Sequence, residues 1–197
     1  GLMLGSAMEM PLLFYGLNRR LNEQTETRAR ARALAVTDPL TGLTSHRRLL
    51  AQLQASINRA RSGRPFALMV VELANHAALA RELGREGAER ALVLAASRLR
   101  RVVRDTDTVA RVGGQHFAVL MESPCTLDEA NAMATHAVAQ GLRENEVLPP
   151  GSSLRFHVAL GLLPMVDLDA AASLDGLLAE LKGIGPDARK TIRVVKR

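Results

Sequence analysis

The chain alternates between short apolar runs of strand length and longer stretches in which apolar residues recur at helical spacing. The run 66–72 is typical of a central strand, and Leu92, Ala95 and Leu99 fall on one face of a helix. The pattern predicts helices over residues 46–61, 86–103, 126–145 and 174–182, and strands over 66–72, 117–121, 154–163 and 191–195. We therefore expect a domain that contains both helices and strands.

Two adjacent glycines, Gly113 and Gly114, lie between apolar runs rich in β-branched residues. Tight hairpin turns need positive φ angles, which glycine adopts without a steric penalty. The sequence therefore predicts a β-hairpin whose tip is at these glycines. A backbone can approach a phosphate closely at such a tip, so the neighbouring side chains, Gln115 and His116, determine its chemistry.

The composition limits the classes of function. The chain has 197 residues, of which 47% are hydrophobic, which is enough for one domain with a core and an additional segment. A net charge of +6 is compatible with nucleic acid, anionic lipid or nucleotide ligands. Aromatic residues, which stack on single-stranded bases, make up only 3% of the chain, so we expect no nucleic-acid partner. The single cysteine, Cys125, excludes an internal disulfide and fits a reducing compartment.

Residues 1–18 are apolar except for Glu9, and Arg19 and Arg20 follow them directly. As a helix these residues would rise roughly 27 Å, close to the thickness of a bilayer core. Basic residues are typical of the cytoplasmic end of a span, so the pattern predicts the end of a transmembrane helix. Glu9 and Pro11 favour the alternative, an amphipathic helix that packs on a partner or a second copy. Residues 19–37 are predicted to form a signalling helix, with a solvated connector as the alternative.

Residues 111–117 resemble the motif of the GGDEF domain, the diguanylate cyclase module that joins two GTP molecules into cyclic di-GMP. The family motif is Gly-Gly-(Asp/Glu)-Glu-Phe, usually preceded by Arg and one apolar residue, whereas this chain has Arg111-Val-Gly-Gly-Gln115-His116-Phe117. Residues 38–48 open with Asp-Pro-Leu-Thr-Gly-Leu, which matches the start of the family's opening signature, Asp-x-Leu-Thr-x-Leu. The resemblance covers residues 38–197. It implies an α/β fold with a central, mostly antiparallel five-stranded sheet flanked by helices, here preceded by a long N-terminal helix.

The resemblance also implies that the catalytic residues have been replaced. In the family, acids that bind the catalytic metals stand at the positions of Glu72 and Gln115, with a further acid at His116. The phosphate-binding lysine and the guanine-binding asparagine are replaced by Ala77 and Ala80. Lys182 keeps the position of a family lysine and is a candidate phosphate contact.

Magnesium, the cofactor of the family, prefers hard oxygen ligands such as carboxylates, and one of the three acids remains. A neutral amide at Gln115 offers an oxygen but no charge. We therefore predict no catalytic residues, no metal and no cofactor. A softer metal held by Glu72 and His116 is the alternative, because imidazole suits zinc-like ions; a polar hairpin residue is the simpler interpretation of His116.

A candidate ligand site remains at Arg104-Asp105-Thr106-Asp107, which fits Arg-x-x-Asp five residues before Gly113. In the family this is the position of the inhibitory site, where cyclic di-GMP binds. Arginine can donate two parallel hydrogen bonds to guanine O6 and N7, and a carboxylate can accept from the guanine N–H edge. The alternative is that these aspartates are ordinary turn residues in an arginine-rich chain. Candidate arginines for a second face of the ligand are Arg100, Arg101 and Arg143.

The sequence therefore predicts a catalytically inactive GGDEF domain over residues 38–197 that senses cyclic di-GMP through Arg104 and Asp107, most simply as a homodimer. The segment around Pro11 and Arg19-Arg20 is similar to the last span of seven-transmembrane bacterial receptors that carry intracellular signalling modules. That similarity implies a bacterial inner-membrane protein with its domain in the cytoplasm. The alternatives are a dimerisation and output module that binds no nucleotide, and a weak residual diguanylate cyclase.

Overall fold

The computed structural model describes residues 35–60, 63–122, 125–163, 169–185, 188 and 190–195. The long N-terminal helix predicted for the chain, the transmembrane segment at 1–18 and nearly all of the connector at 19–37 lie outside these residues. Within the described ranges, no helix combines the length and the hydropathy that a bilayer-spanning segment needs.

The described chain contains four helices and six strands. The strands are β1 (Thr44–Ser45), β2 (Phe66–Leu73), β3 (Thr108–Gly113), β4 (His116–Met121), β5 (Phe156–Leu163) and β6 (Ile192–Val195). The helices are α1 (His46–Ala60), α2 (His76–Val102), α3 (Leu127–Gly141) and α4 (Ala170–Lys182). Every strand predicted from the apolar pattern is present, with ends that differ by up to two residues.

The strands form one sheet in the order β1-β3-β4-β2-β5-β6. The three central pairs are antiparallel, and the outer pairs β1/β3 and β5/β6 are parallel. The predicted α/β class and the mostly antiparallel sheet are confirmed, but the sheet has six strands rather than five. The additional strand, β1, has two residues, which is too short to produce an alternating pattern that sequence analysis could detect.

Helices cover both faces of the sheet, so β2 is buried on both sides and has a continuous apolar sequence. On one face, Ala67, Met69 and Val71 belong to a core shared with α2 and α3. On the other face, Phe66, Leu68 and Val70 belong to a core shared with α1 and α4. Because side chains alternate along a strand, Glu72 follows Val70 on the α1/α4 face, where the apolar run of β2 ends.

The predicted hairpin is confirmed. β3 and β4 pair antiparallel across Gly113 and Gly114, whose φ angles are 136° and 49°. Ser45 precedes α1 and caps it, because its Oγ accepts a hydrogen bond from the Arg48 backbone N–H at 3.4 Å.

Three helix boundaries differ from the prediction by four residues or more. α4 begins at Ala170 rather than at residue 174. α2 begins at His76 rather than near residue 86, and Gly84 interrupts it with φ 70° and ψ −176°, a conformation that suits glycine. α3 ends at Gly141 rather than near residue 145. The buried side chain of Arg98 in α2 donates to the carbonyls of Gln140, Gly141, Arg143 and Glu144. These bonds satisfy carbonyls at the end of α3 and place a positive charge where the helix dipole favours one.

Candidate functional site

Arg111 holds the hairpin tip against the start of the domain. Its Nη2 donates to the Gly114 carbonyl at 2.8 Å, and its Nη1 lies 3.3 Å from Asp38 Oδ1. Asp38 also accepts from the Thr41 N–H at 2.9 Å and the Thr41 hydroxyl at 2.7 Å. Burial acts to raise the pKa of Asp38, but the Thr41 hydrogen bonds and the Arg111 charge outweigh it and hold the pKa below its usual value. The opening signature and the hairpin are therefore one connected polar unit.

The structure brings together the three positions at which the sequence analysis expects replaced catalytic acids. Glu72, the second-last residue of β2, lies directly opposite His116 of β4. Gln115 Nε2 donates to Glu72 Oε1 at 3.1 Å, and His116 Nε2 lies 3.7 Å from the same oxygen. One carboxylate, one amide and one imidazole thus occupy the place beside the glycine hairpin.

A fourth residue of this group, His157, was missed by the sequence analysis. It lies opposite Glu72 on β5, so Glu72 stands between two histidines on one face of three adjacent strands. We call Glu72, His116 and His157 the Glu72 row. His157 is 3% exposed, and this burial lowers its pKa, although the charge of Glu72 acts in the opposite direction. No local signal in the sequence indicates this histidine, because its neighbours are set by strand register.

The other positions that the resemblance assigns to substrate binding supply one charge, at Lys182. Ala77 is exposed and Ala80 half-buried in the first turns of α2, and neither can donate a hydrogen bond from its side chain. Lys182 is the exposed last residue of α4 and makes no hydrogen bond or ion pair to the described residues. Among the side chains that the structure describes, no three His, Cys, Asp or Glu residues are grouped so that they could hold a metal ion.

Arg104 and Asp107 are joined by a two-pronged ion pair in the turn between α2 and β3. Arg104 Nε donates to Asp107 Oδ2 at 3.0 Å, and Arg104 Nη2 donates to Oδ1 at 2.9 Å. The hydrogen bond to Asp107 raises the pKa of the Arg104 guanidinium, which is therefore charged at every physiological pH. The Arg104 side chain is 41% exposed, whereas the Asp107 side chain is completely buried.

This pair borders a polar cleft of about 330 Å³, which we call the 104–107 cleft. Its wall includes Arg100, Arg104, Asp105 and Asp107 on one side and the turn 42–44 on the other. Of the three arginines considered as further ligand contacts, Arg100 lines the cleft, and neither Arg101 nor Arg143 is part of its wall.

Comparison with known proteins identifies relatives along most of this region. The family model for the diguanylate cyclase GGDEF domain matches residues 35–167. Diguanylate cyclase DgcP of Pseudomonas aeruginosa is 34% identical over 100 residues, which cover 50% of this chain and 15% of DgcP. The cyclic di-GMP phosphodiesterase NbdA of the same organism is 28% identical over 147 residues, 74% of this chain and 18% of NbdA. The chain therefore spans less than a fifth of either relative.

Solved structures of GGDEF domains share the fold. The GGDEF domain of TpbB, also called YfiN, from Pseudomonas aeruginosa superposes with a TM-score of 0.73 at 24% identity. The match covers 81% of this chain and 94% of the TpbB chain. The coiled coil and GGDEF domain of DgcB from Caulobacter crescentus, solved in complex with cyclic di-GMP, has a TM-score of 0.68 at 15% identity. The match covers 95% of this chain and 100% of the DgcB chain.

Proposed function

Because this chain belongs to the GGDEF family of diguanylate cyclase domains, we propose that it is a catalytically inactive member that binds cyclic di-GMP at the 104–107 cleft. The observation that supports this proposal most is the contrast between two sites. The cleft is bordered by an intact, paired Arg104 and Asp107, whereas the catalytic positions hold a single carboxylate, Glu72.

The donors around the Glu72 row do not fit a pair of magnesium ions. Magnesium binds hard oxygen ligands, and two such ions need several carboxylate oxygens as well as water and phosphate. Here Glu72 Oε1 accepts a hydrogen bond from Gln115, and the next side chain is the imidazole of His116. If the metal ions of active relatives stabilise the transition state by about 4 kcal/mol, their loss slows the reaction roughly a thousandfold. Ala77 and Ala80 weaken the binding of GTP in addition.

The chemistry of the cleft fits a guanine dinucleotide. An arginine whose guanidinium is fixed in place offers a planar surface on which a purine base stacks, and arginine also pairs with phosphate. DgcB, which shares this fold, was solved in complex with cyclic di-GMP. We transfer that ligand to this chain because Arg104 and Asp107 occupy the Arg-x-x-Asp spacing ahead of the glycine hairpin.

Isothermal titration calorimetry with cyclic di-GMP tests the proposal on the full chain. We expect the wild-type protein to release or absorb heat with a saturable profile and Arg104→Ala to lose most of it. Arg101→Ala is the matched control, because Arg101 is an exposed arginine that does not line the cleft. The absence of wild-type binding, or binding that Arg104→Ala leaves unchanged, would contradict the proposal.

A dimerisation and output module that binds no nucleotide is the second candidate function. One observation favours it: the Asp107 carboxylate is completely buried and is already bonded to protein donors, as a purely structural residue would be. The same titration separates the two candidates, because a non-binding module produces no heat.

A weak residual cyclase, the third candidate, would convert GTP in the presence of magnesium or manganese. Because of Ala77 and Ala80, we expect Gln115→Glu with His116→Glu to remain inactive.

We further propose that residues 1–18 end a transmembrane helix, that 19–37 link it to the domain at 38–197, and that the domain lies in the bacterial cytoplasm as a homodimer. The support for the membrane helix and its orientation is the apolar run and the two arginines that follow it. We expect the full chain to sediment with bacterial membranes and to stay with them after extraction with alkaline carbonate. Recovery of the chain in the carbonate supernatant would contradict the membrane assignment.

A further inference from the structure

The two edges of the sheet differ in how they are covered. At the β1 edge the chain covers itself, because the Ser45 N–H donates to the Val36 carbonyl at 2.9 Å and Thr37 pairs with Thr44. At the other edge, β6 pairs with β5 on one side, and within the described ranges no strand lies on its other side. The open edge of the described sheet is therefore β6.

The register of β6 shows which of its backbone groups remain unpaired. Ile192 lies opposite Val158 of β5 in a parallel ladder, and the Thr191 carbonyl accepts from the Val158 N–H at 2.8 Å. In such a ladder alternate residues of β6 bond to β5, so the backbone groups of Ile192 and Val194 point away from the sheet. Those groups have no hydrogen-bond partner in the part of the chain that the structure describes. They form a template that the backbone of one more strand can pair with.

A cavity of about 560 Å³ lies along this edge, and we call it the β6 groove. Its wall comes from β6 and from the segment that follows α4, and it includes Ile184, Lys190 and Arg193 but no acidic residue among those described. Residues 189–197 carry five Lys or Arg and no Asp or Glu. The charge of the groove therefore favours a negatively charged segment.

The side chains of β6 divide between the two faces of the sheet. Ile192 and Val194 are half-buried and pack on the core shared with α2 and α3. Arg193 lies on the opposite face, where its Nη1 is 3.0 Å from Glu180 Oε2 of α4. The Arg193 side chain is 44% exposed, and its three hydrogen bonds to Glu180 and Gly183 leave some of the five guanidinium donors available. A strand added beside β6 meets apolar side chains on one face and a cation on the other.

From this arrangement we propose that the β6 groove binds an extended segment of a partner protein in which acidic and apolar residues alternate, and that this segment extends the sheet by one strand. Side chains on the same face of neighbouring strands lie beside each other, so the acidic residues contact Arg193 and the apolar residues contact Ile192 and Val194. Main-chain hydrogen bonds provide affinity in this mode of recognition, and the side chains provide specificity. The proposal does not depend on the binding of cyclic di-GMP.

Two other occupants fit the edge less well. A second copy of β6 brings the basic residues of two 189–197 segments together, and like charges on adjacent strands are unfavourable. A nucleic acid or an anionic lipid surface uses the cations but leaves the backbone groups of Ile192 and Val194 without partners.

Fluorescence anisotropy of a labelled octapeptide of alternating Glu and Val, titrated with the full chain, tests the proposal. We expect a saturable increase that weakens as the salt concentration rises, because salt screens exposed charges. The matched control is an octapeptide of alternating Lys and Val, which is expected not to bind. No saturable change with the Glu/Val peptide, or equal binding of both peptides, would overturn the proposal.

Two N-methylated forms of the Glu/Val peptide test whether it binds as a strand. Only every second residue of an added strand bonds to β6, so the N–H groups of either the Glu set or the Val set are needed, but not both. We expect methylation of one set to abolish binding and methylation of the other to leave it unchanged. If both methylated peptides bind as the parent does, charge alone holds the peptide, and strand addition is overturned.

Substitutions in the protein test the same contacts. Val194→Pro removes an N–H that points away from β5, and proline is tolerated on edge strands at such positions. We expect it to weaken peptide binding by about tenfold or more, with little change in the thermal midpoint. A folded Val194→Pro protein that binds as the wild type does would overturn the proposal. If this variant does not fold, the two methylated peptides decide the outcome.

Arg193→Glu replaces an attraction with a repulsion, so it is expected to weaken binding of the Glu/Val peptide by about tenfold. Arg85→Glu is the matched control, because Arg85 is an exposed arginine that pairs with Glu89 outside the groove. Equal effects of these two variants would overturn the role of Arg193. Dimers of the wild-type chain that Val194→Pro dissociates would assign the edge to a second copy and overturn the choice of partner; sedimentation velocity measures this.

Discussion

Asp105 and Asp107 belong to one short turn, yet one carboxylate is exposed and the other is completely buried. The Arg-x-x-Asp pattern identified the turn but could not separate these environments. The difference arises because β4 returns beside the turn and places the Glu122 N–H against Asp107. The burial of Asp107 therefore depends on a contact with a residue fifteen positions away in the sequence.

The buried carboxylate gives a prediction about stability. Asp107→Ala leaves the backbone N–H groups of Arg104 and Glu122 without their acceptor. We expect the free energy of unfolding to fall by about 1–3 kcal/mol, because several hydrogen bonds to the Asp107 carboxylate are lost and each contributes on the order of 1 kcal/mol. Urea denaturation measures this change, and Asp105→Ala is the matched control with an expected change within about 0.5 kcal/mol. Equal stability of the two variants would show that Asp107 has no structural role.

His157 gives a prediction about pH. Burial holds its folded pKa below the ordinary value of 6.5, so the unfolded chain binds the proton more tightly than the folded chain does. Protonation therefore favours unfolding, and stability is lost as the pH falls through 6.5 towards the folded pKa. Comparing urea denaturation at pH 7.5 and pH 5.5, we expect the wild type to lose more stability than His157→Gln. The other histidines are common to both proteins, so parallel pH profiles would contradict the assignment.

At the scale of elements, local signals predicted those features that depend on neighbours in sequence. The hairpin follows from Gly113-Gly114, and the strand β2 follows from its apolar run. Features set by contacts between distant segments were not accessible. β1 forms because Thr44 and Ser45 pair with β3. α3 ends before the predicted residue 145 because the Arg98 side chain of α2 donates to the carbonyls at its end.

The contact between α3 and the segment leading into β5 gives a prediction at this scale. A Cβ atom at Gly141 would lie 2.6 Å from the Leu154 carbonyl oxygen, a backbone atom that cannot move away easily. We expect Gly141→Ala to destabilise the domain by about 1–3 kcal/mol through overpacking. Gly176→Ala is the control in α4, where a Cβ would meet no atom within 4 Å.

The control substitution Gly176→Ala is expected to change the stability in the opposite direction. Alanine is favoured over glycine inside a helix by about 1 kcal/mol, so Gly176→Ala should raise the thermal midpoint while Gly141→Ala lowers it. A Gly141→Ala protein as stable as the wild type would show that helix α3 and Leu154 do not approach as closely as described.

At the scale of the whole molecule, one hairpin connects the two sites. Gln115 and His116 lie at its tip beside Glu72, and Asp107 and Glu122 lie at its open end beside the 104–107 cleft. A six-residue strand separates the two ends by roughly 20 Å. A substitution at the tip can therefore occur without any change in the contacts that build the cleft.

The family and the class of fold could be predicted from short motifs, because the glycine hairpin and the opening signature are local in sequence. The Glu72 row could not be predicted, since His157 reaches Glu72 only through the register of β2 and β5. The cleft could be predicted only in part: Arg104 and Asp107 were identified, whereas the turn 42–44 joins them through the fold.

Equilibrium dialysis of the full chain against a mixture of GTP, cyclic di-GMP and magnesium tests the central claim most directly, because one sample reports both binding and turnover. We predict that cyclic di-GMP accumulates on the protein side, that Arg104→Ala abolishes this accumulation, and that GTP remains unconverted. Formation of new cyclic di-GMP from GTP, or equal concentrations of cyclic di-GMP on both sides of the membrane, would contradict the account.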